Sequence, residues 1–379
     1  MRAALVNLAL GNGLSGVDKA IAGQAKAART DALPFDVFVV GGQRSGESEG
    51  VHYVPLPPEM RRFRRLAPMF KARILSSARE LSGYDVLFVR YPTAVDLDPL
   101  ALLRGARARV VTVHHTKEVD AILSAGRGAS LRLRAALERV QGPRILRRVD
   151  GIVGVTDEIR EYELSRAGRL VPSRTISNGI DVASVPPTGF APFDGRELHL
   201  IFVASFNPPW HGTDRLLGGL RAYRGGVRVT LHMVGQDTGR PPGTQERVGN
   251  ALVHHHGMLQ GDALDRVFRS ATLAVSSLSI RRAGLRQACA LKTREYVARG
   301  IPFILGYDDV DVPDDCPFVL RVHDDDAPID IEAVVRFAER IGDPSRTSSA
   351  MRRYAEEHLA WRVKVRQFLS FAEALLGRR

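Results

Sequence analysis

An alternation that occurs twice constrains this chain more than any other feature. Short apolar, β-branched runs are separated by longer amphipathic stretches, once over residues 1–182 and again over residues 198–350. In the first series the expected strands are Ala3–Leu10, Asp36–Val40, His52–Leu56, Asp85–Tyr91, Arg109–His114 and Gly151–Thr156. The helices between them are Val17–Arg29, Arg61–Leu81, Leu100–Arg104 and Leu131–Arg148. Several of these strands are apolar almost throughout, as parallel strands are when helices cover both faces of the sheet. In the second series the strands are His199–Ser205, Val227–Val234, Leu252–His256, Leu273–Ser277, Pro302–Leu305 and Phe318–Val322, with helices at Asp214–Tyr223, Ala263–Ser270 and Lys292–Arg299. Each series reads as a doubly wound, Rossmann-like α/β domain. Pro186, Pro187, Gly189 and Pro192 mark residues 183–197 as the linker between them. Asp330–Ile341 and Met351–Gly377 are helical, so residues 351–379 close the chain with helices.

A length of 379 residues suits two domains, and 44% hydrophobic with 25% charged residues is the composition of a globular protein. Cys289 and Cys316 are the two cysteines, too few for a disulfide framework and lacking metal or redox spacing. Ala3–Leu10 runs into glycines, as a buried strand does and a signal peptide does not. No stretch reaches the ~18–20 apolar residues that span a bilayer. These features predict a cytoplasmic place. The net charge of +12 favours polyanions of any kind. The segment Met60–Arg73 sets Arg61, Arg62, Arg64, Arg65, Lys71 and Arg73 among apolar residues, which suits an anionic membrane surface. A solvated helix with a buried face fits it equally, and Pro68 interrupts a continuous helix. The charge allows a nucleic-acid-binding protein, but zinc-finger spacing, an RNP-like aromatic string and a helix-turn-helix signature are all missing, so this is the least favoured reading and no specific nucleic-acid partner is expected.

Chemistry concentrates in Ala283–Gly306, a loop, a short helix stopped by Gly300, and a buried strand. A loop feeding a helix N-terminus presents unpaired N–H groups and the positive end of the helix dipole, a setting for a diphosphate. Lys292 and Arg294 add charge there, and Glu295, a turn further on, can accept from sugar hydroxyls. An ordinary amphipathic helix accounts for the same residues. The loop Gly11–Gly16 follows the first strand, but its spacing is wrong for G-x-G-x-x-G and no acidic residue ends the second strand, so NAD binding is rejected. His114 and His115 end a strand on the edge where parallel sheets hold ligands, and either can orient a hydroxyl or accept a proton. His254, His255 and His256 alternate faces, which makes them poor joint metal ligands. Thr156 is the expected N-cap of a helix over Glu158–Arg166, and Asn178-Gly179 reads as a turn at the domain boundary.

The run ALKTREYVARGIPFI over residues 290–304 resembles the nucleotide-sugar-binding segment of the retaining glycosyltransferases of family 4, in which Lys-x-x-Glu-Tyr-x-Ala-x-Gly-x-Pro follows the donor loop. Ile176–Asp181 resembles that family's Asn-Gly-x-Asp element. The resemblance implies the GT-B architecture, two Rossmann-like domains facing across a cleft, with the terminal helices crossing back to the first domain. It also implies a nucleotide-diphosphate sugar as donor substrate, no tightly bound cofactor and no obligatory metal. The implied catalytic residues are His114, near the donor sugar, and Gln287, which stands where the family carries a glutamate. The implied donor-binding residues are Gly13, Ser205, Asn207, His211, Gly212, Gly235, Arg282, Leu291, Lys292, Thr293 and Glu295, the last for the ribose hydroxyls. Ser205–Gly212 resembles the family's loop ending in Lys-Gly, with His211 in place of lysine and Phe206 in place of an arginine. His211, Lys292 and the pair Arg281–Arg282 are candidate replacements for those cations.

The expected function is transfer of a sugar, with retention, from a nucleotide-diphosphate sugar to a hydroxyl acceptor in cell-surface polysaccharide or glycolipid synthesis, at the inner face of a membrane. Gln287, Phe206 and His211 leave open a noncatalytic sugar-nucleotide-binding subunit. An inverting transferase or epimerase of the same architecture is the rival among enzymes, with His114 as its base. Oligomeric state is not legible.

Overall fold

The computed structural model describes residues 1–9, 15–41, 48–57, 60, 69–92, 96–104, 106–124, 126, 128–236 and 239–377. Gly13 and the arginines 61, 62, 64 and 65 lie outside the described residues, so the glycine loop and most of the basic segment receive no structural account. The chain divides into two compact units, Met1–Gly179 with Trp361–Arg379, and Ile180–Ala360.

The first unit carries a seven-stranded sheet in the order β3-β2-β1-β4-β5-β6-β7. Its strands are β1 (Ala3–Leu8), β2 (Phe35–Val40), β3 (Val51–Val54), β4 (Val86–Arg90), β5 (Arg109–His114), β6 (Gly151–Gly154) and β7 (Ser173–Thr175), paired in parallel throughout. Connecting helices are α1 (Ser15–Thr30), α2 (Lys71–Ser76), α3 (Glu118–Ser124), α4 (Ala129–Leu146) and α5 (Asp157–Ala167). The continuous apolar runs have the expected cause. Ala3 and Leu5 of β1 enter one core with Val37, Phe88 and Val111, while Ala4 and Val6 enter the opposite core with Phe38, Val40, Leu87 and Val89. Thr156 caps α5 by accepting from the Ile159 N–H at 3.2 Å. The long helix read over Arg61–Leu81 is corrected in its described part to α2 followed by a 3-10 turn at Arg79–Gly83. The Leu100–Arg104 helix is likewise only a 3-10 turn, Ala101–Leu103.

The second unit is a seven-stranded sheet in the order β10-β11-β9-β8-β12-β13-β14. Its strands are β8 (Glu197–Ala204), β9 (Arg228–Gly235), β10 (Thr244–Val248), β11 (Ala251–Gly257), β12 (Leu273–Val275), β13 (Phe303–Leu305) and β14 (Val319–Arg321). Only β10 runs antiparallel, paired with β11 through a tight turn at Gly249 with φ +61°. Its polar sequence, TQERV, gave no sequence signal for a strand. The helices are α6 (Thr213–Ala222), α7 (Gly261–Ser270), α8 (Leu291–Arg299), α9 (Ile331–Arg340) and α10 (Pro344–Tyr354). Alternate residues Leu198, Leu200 and Phe202 of β8 pack with Leu216 and Leu220 of α6 and Val334 and Phe337 of α9. Among the described residues no helix is long and apolar enough to cross a membrane.

The last helix, α11 (Trp361–Leu376), belongs to the first unit. It lays Val365, Phe368, Phe371, Ala372 and Leu375 on the sheet face that α1 also covers, with Phe368 edge-on to Phe88 at 4.9 Å between centroids. Gly23 of α1 is what lets Trp361 approach, since a Cβ there would stand 2.4 Å from the indole. Each buried large side chain of α11 contributes about 1.5–3 kcal/mol, so the first core is incomplete without the end of the chain.

Candidate functional site

In an open α/β sheet, ligands bind beyond the carboxyl ends of the strands where the strand order reverses. In the second unit that point lies between β8 and β12. The segments leaving these strands are laced together. Leu278 N–H donates to the His211 carbonyl at 3.0 Å and Ser279 N–H to that of Trp210 at 3.2 Å. Gly212 sits between them at φ +65°, and a Cβ there would lie 2.9 Å from the Leu278 side chain. Gly235 ends β9 at φ +137°, with the Ala204 carbonyl oxygen 1.6 Å from where a Cβ would go. Both positions favour glycine, because φ is positive and neighbouring atoms, backbone at Gly235 and side chain at Gly212, occupy the space of a Cβ. Asn207 donates to the Thr213 hydroxyl at 3.0 Å and so fixes the start of α6, while Ser205 is exposed.

The N-terminus of α8 opens on the same edge. The N–H groups of Leu291 and Lys292 meet no backbone acceptor among the described residues. Lys292 is half-buried as a residue, but its Nζ is sealed from solvent, has no hydrogen-bond partner among the described residues, and lies 4.4 Å above the Phe202 ring. Burial brings its pKa down to about 7. His211 meets the same phenylalanine edge-on at 5.4 Å, with Nδ1 buried and unpartnered. Burial first, and then the Lys292 charge, push its pKa down to about 2, so His211 is a neutral imidazole. The sequence singled out both residues but not the Phe202 platform they share.

The other cations near this edge are already neutralised. Arg282 makes a two-pronged pair with Asp214 at 2.8 and 2.9 Å and also binds Asp326 at 2.8 Å. Arg281 pairs with Asp326 as well. The expectation that Arg294 charges the helix end is corrected: its guanidinium is fully buried between Asp309 and Asp311, with Nη2 2.9 Å from Asp309 Oδ1 and 2.6 Å from Asp311 Oδ2. The Thr293 hydroxyl also points inward, to Ser276 at 3.0 Å and Tyr307 at 2.7 Å. Glu295, half-buried, accepts from Arg299 Nε at 2.9 Å. Gln287 is held by backbone bonds from Ala288 N–H to the Asp308 carbonyl and from Asp308 N–H to that of Arg286. A cavity of about 460 Å³ opens near the far end of α8, lined by Arg299, Ser345, Ser348 and Arg352, about 12 Å from the N-terminal amides by helix rise.

In the first unit the reversal lies between β1 and β4. Asn7, Gln24, Arg90, His115 and Asn178 line a narrow crevice there. His115, not His114, is the histidine of this crevice, and burial with the neighbouring Arg90 charge holds its pKa well below the usual value. The strand-end reading of His114 as a residue facing ligand is corrected, because its side chain has no exposure at all. It stacks on Tyr91 at 4.5 Å, with Nδ1 3.5 Å from Glu118 and 3.7 Å from Glu163. Arg166 joins Glu163 to Glu138, and Tyr91 donates to Glu138 at 3.0 Å. Burial, then the Glu138 charge, raise Glu118 to about 8, so it carries a proton at neutral pH.

The histidines of β11 also need correction. Period two puts His254 and His256 on one face, where His232 of β9 lies in register with His254. One nitrogen from each of the three falls within 4.8 Å of the others.

Two seven-stranded, predominantly parallel sheets with this strand order form the fold of GT-B glycosyltransferases. Residues 15–184, a little under half of the chain, match the family model of Glycosyltransferase Family 4. The match lies almost wholly within the first unit, whereas the sequence resemblance rests on a segment of the second. No curated protein matches the chain. Among solved structures it is similar to a glycosyltransferase from Rickettsia africae ESF-5, at 11% identity over 100% of both chains with a TM-score of 0.68. Sucrose-phosphate synthase from Thermosynechococcus elongatus aligns at 14% identity over 100% of both chains, TM-score 0.61. Anabaena HepE in complex with UDP-glucose aligns at 13% identity over 99% of both chains, TM-score 0.56. At such identities these likenesses concern the fold.

Proposed function

We propose that this chain is a retaining glycosyltransferase that takes its sugar from a nucleotide-diphosphate sugar bound by the second unit. The observation that carries this reading is the buried, unpartnered Lys292 ammonium beside the free amides of α8 and the neutral His211. A buried cation with no counter-charge is costly, and a diphosphate is the ligand that would offset it at a helix N-terminus. The UDP-glucose complex of Anabaena HepE supports testing uridine donors first. Glu295 would take the ribose hydroxyls, and Gln287 would face the donor sugar as a neutral donor and acceptor.

In the reaction, the bond from the anomeric carbon to the diphosphate oxygen breaks while the acceptor oxygen bonds to the same face of that carbon. The acceptor proton passes to the leaving phosphate oxygen. Lys292, His211 and the α8 amides stabilise the charge that develops there, and no step calls for a metal. Asn7, Arg90 and His115 are the acceptor-side candidates, at the strand reversal of the first unit. We place the enzyme in the cytoplasm, at the inner face of a membrane, making cell-surface polysaccharide or glycolipid, with the Met60–Arg73 segment meeting anionic lipid. Unchanged vesicle binding after replacing Arg61, Arg62, Arg64 and Arg65 by Gln would remove the membrane part.

A thermal-shift screen against UDP, GDP, ADP, CMP and dTDP, with and without sugar, tests the donor site. One nucleotide should raise the midpoint in the wild type and fail to do so in Lys292→Met. A shift that survives the substitution places the nucleotide elsewhere. Because His211 is neutral where the family has lysine, a sugar-nucleotide-binding subunit is the second reading; binding without turnover would favour it.

A further inference from the structure

We propose that His232, His254 and His256 bind a divalent transition-metal ion on one face of the second sheet, with His199 as the residue that orients His232. The strand register builds this set. His232 and His254 are partners across β9 and β11, His256 follows two residues later, and His199 of β8 is the partner of Thr230, two residues before His232. All of them therefore share a face. The opposite face, with Val229, Leu231, Met233 and Val253, belongs to the hydrophobic core. The three imidazoles are half-buried, so an ion can reach them from solvent.

The separations suit one ion. His232 Nδ1 lies 3.0 Å from His256 Nε2. Neighbouring nitrogens held about 2.0–2.1 Å from a common ion are about 2.8–3.4 Å apart in octahedral to tetrahedral geometry. The His254 ring centroid is 5.3 Å from that of His232 and 6.0 Å from that of His256, within a ring rotation of completing the set. Behind them, His232 Nε2 is 3.4 Å from His199 Nδ1, and His199 Nε2 is 3.6 Å from Glu197 Oε1. Glu197 also accepts from the Thr230 hydroxyl at 2.9 Å. A carboxylate beside such a row favours the tautomer in which His232 Nε2 donates to His199 and leaves Nδ1 for the ion. Three neutral imidazoles select zinc, cobalt, nickel or copper over magnesium and calcium. The ion would clamp β9 to β11, and no residue of the proposed donor site contributes to it.

The test uses the full chain without a histidine tag, titrated with Co²⁺ by visible absorption and calorimetry and then challenged with Zn²⁺. The expected result is one Co²⁺ per chain with intense d–d bands, displaced by Zn²⁺. Binding should weaken at least about 100-fold in His232→Gln and in the double variant His254→Gln/His256→Gln. In His199→Gln it should weaken about 10–100-fold, and in His358→Gln, which alters an exposed histidine of the same unit, it should not change. Circular dichroism establishes that each variant is folded. The proposal is overturned by a wild type with no saturable 1:1 binding tighter than about 100 μM, or by folded double and His232 variants that keep the affinity.

Discussion

Replacing Lys292 by methionine should make the free protein more stable and deprive it of its donor. Lowering an ammonium from the ordinary 10.5 to about 7 corresponds to about 4–5 kcal/mol of unfavourable burial. Loss of the contact over Phe202 forfeits about 2 kcal/mol of cation–π attraction, which leaves a net gain on the order of 2–3 kcal/mol. The sign with pH follows from proton counts. Below pH 7 both the folded and unfolded chains hold the proton, so the penalty is full and constant. From about pH 7 to 10.5 the unfolded chain holds more protons, and wild-type stability recovers relative to the variant by up to about 1.4 kcal/mol per pH unit. Urea melts of both proteins between pH 6 and pH 10 measure that gap. At the proposed donor site a diphosphate would restore the proton on Lys292, so nucleotide binding above pH 7 should take up a proton and weaken by up to about tenfold per pH unit. Calorimetry in buffers of different ionisation enthalpy reads the uptake. A variant less stable than wild type at pH 6, or one that still binds nucleotide, refutes the reasoning.

Three other substitutions probe the scaffold. Gly235→Ala drives a Cβ into the Ala204 carbonyl at an unfavourable φ and should cost on the order of 3 kcal/mol or more in urea melts. Phe368→Ala should cost about 3–5 kcal/mol, because α11 completes the first core late in the chain; a loss below 1 kcal/mol would deny α11 that role. Glu118→Gln reports on the buried network around His114. The wild type should lose stability as pH rises from 4.5 through about 8, since the folded carboxyl holds its proton longer, and the variant should lose less over the same range.

The two domains were legible because parallel strands covered on both faces leave unbroken apolar runs, as in Ala3–Leu8 and Phe35–Val40. β7 and β10 were not legible: SRT and TQERV are edge strands with few apolar residues, and pairing rather than propensity makes them strands. At the site, the strand–loop–helix order around α8 and the glycines at 212 and 235 could be read directly. The neutralisation of Arg282 and Arg294 could not, since Asp214, Asp309, Asp311 and Asp326 reach them only through the fold. His114 was misassigned because alternation along β5 does not say which face opens on a crevice and which meets Glu118 and Glu163. Applying period two to His254 and His256 would have put them together, but His232 joins them only through strand pairing.

The most direct test of the central claim is to follow sugar nucleotides by proton NMR in the presence of the enzyme, with candidate acceptors and with water alone. One nucleotide-diphosphate sugar should be consumed with equimolar release of its nucleoside diphosphate, and the first-formed product should keep the donor's anomeric configuration. An inverted product would contradict the same-face displacement. Tight binding of the donor with no consumption would contradict catalysis itself.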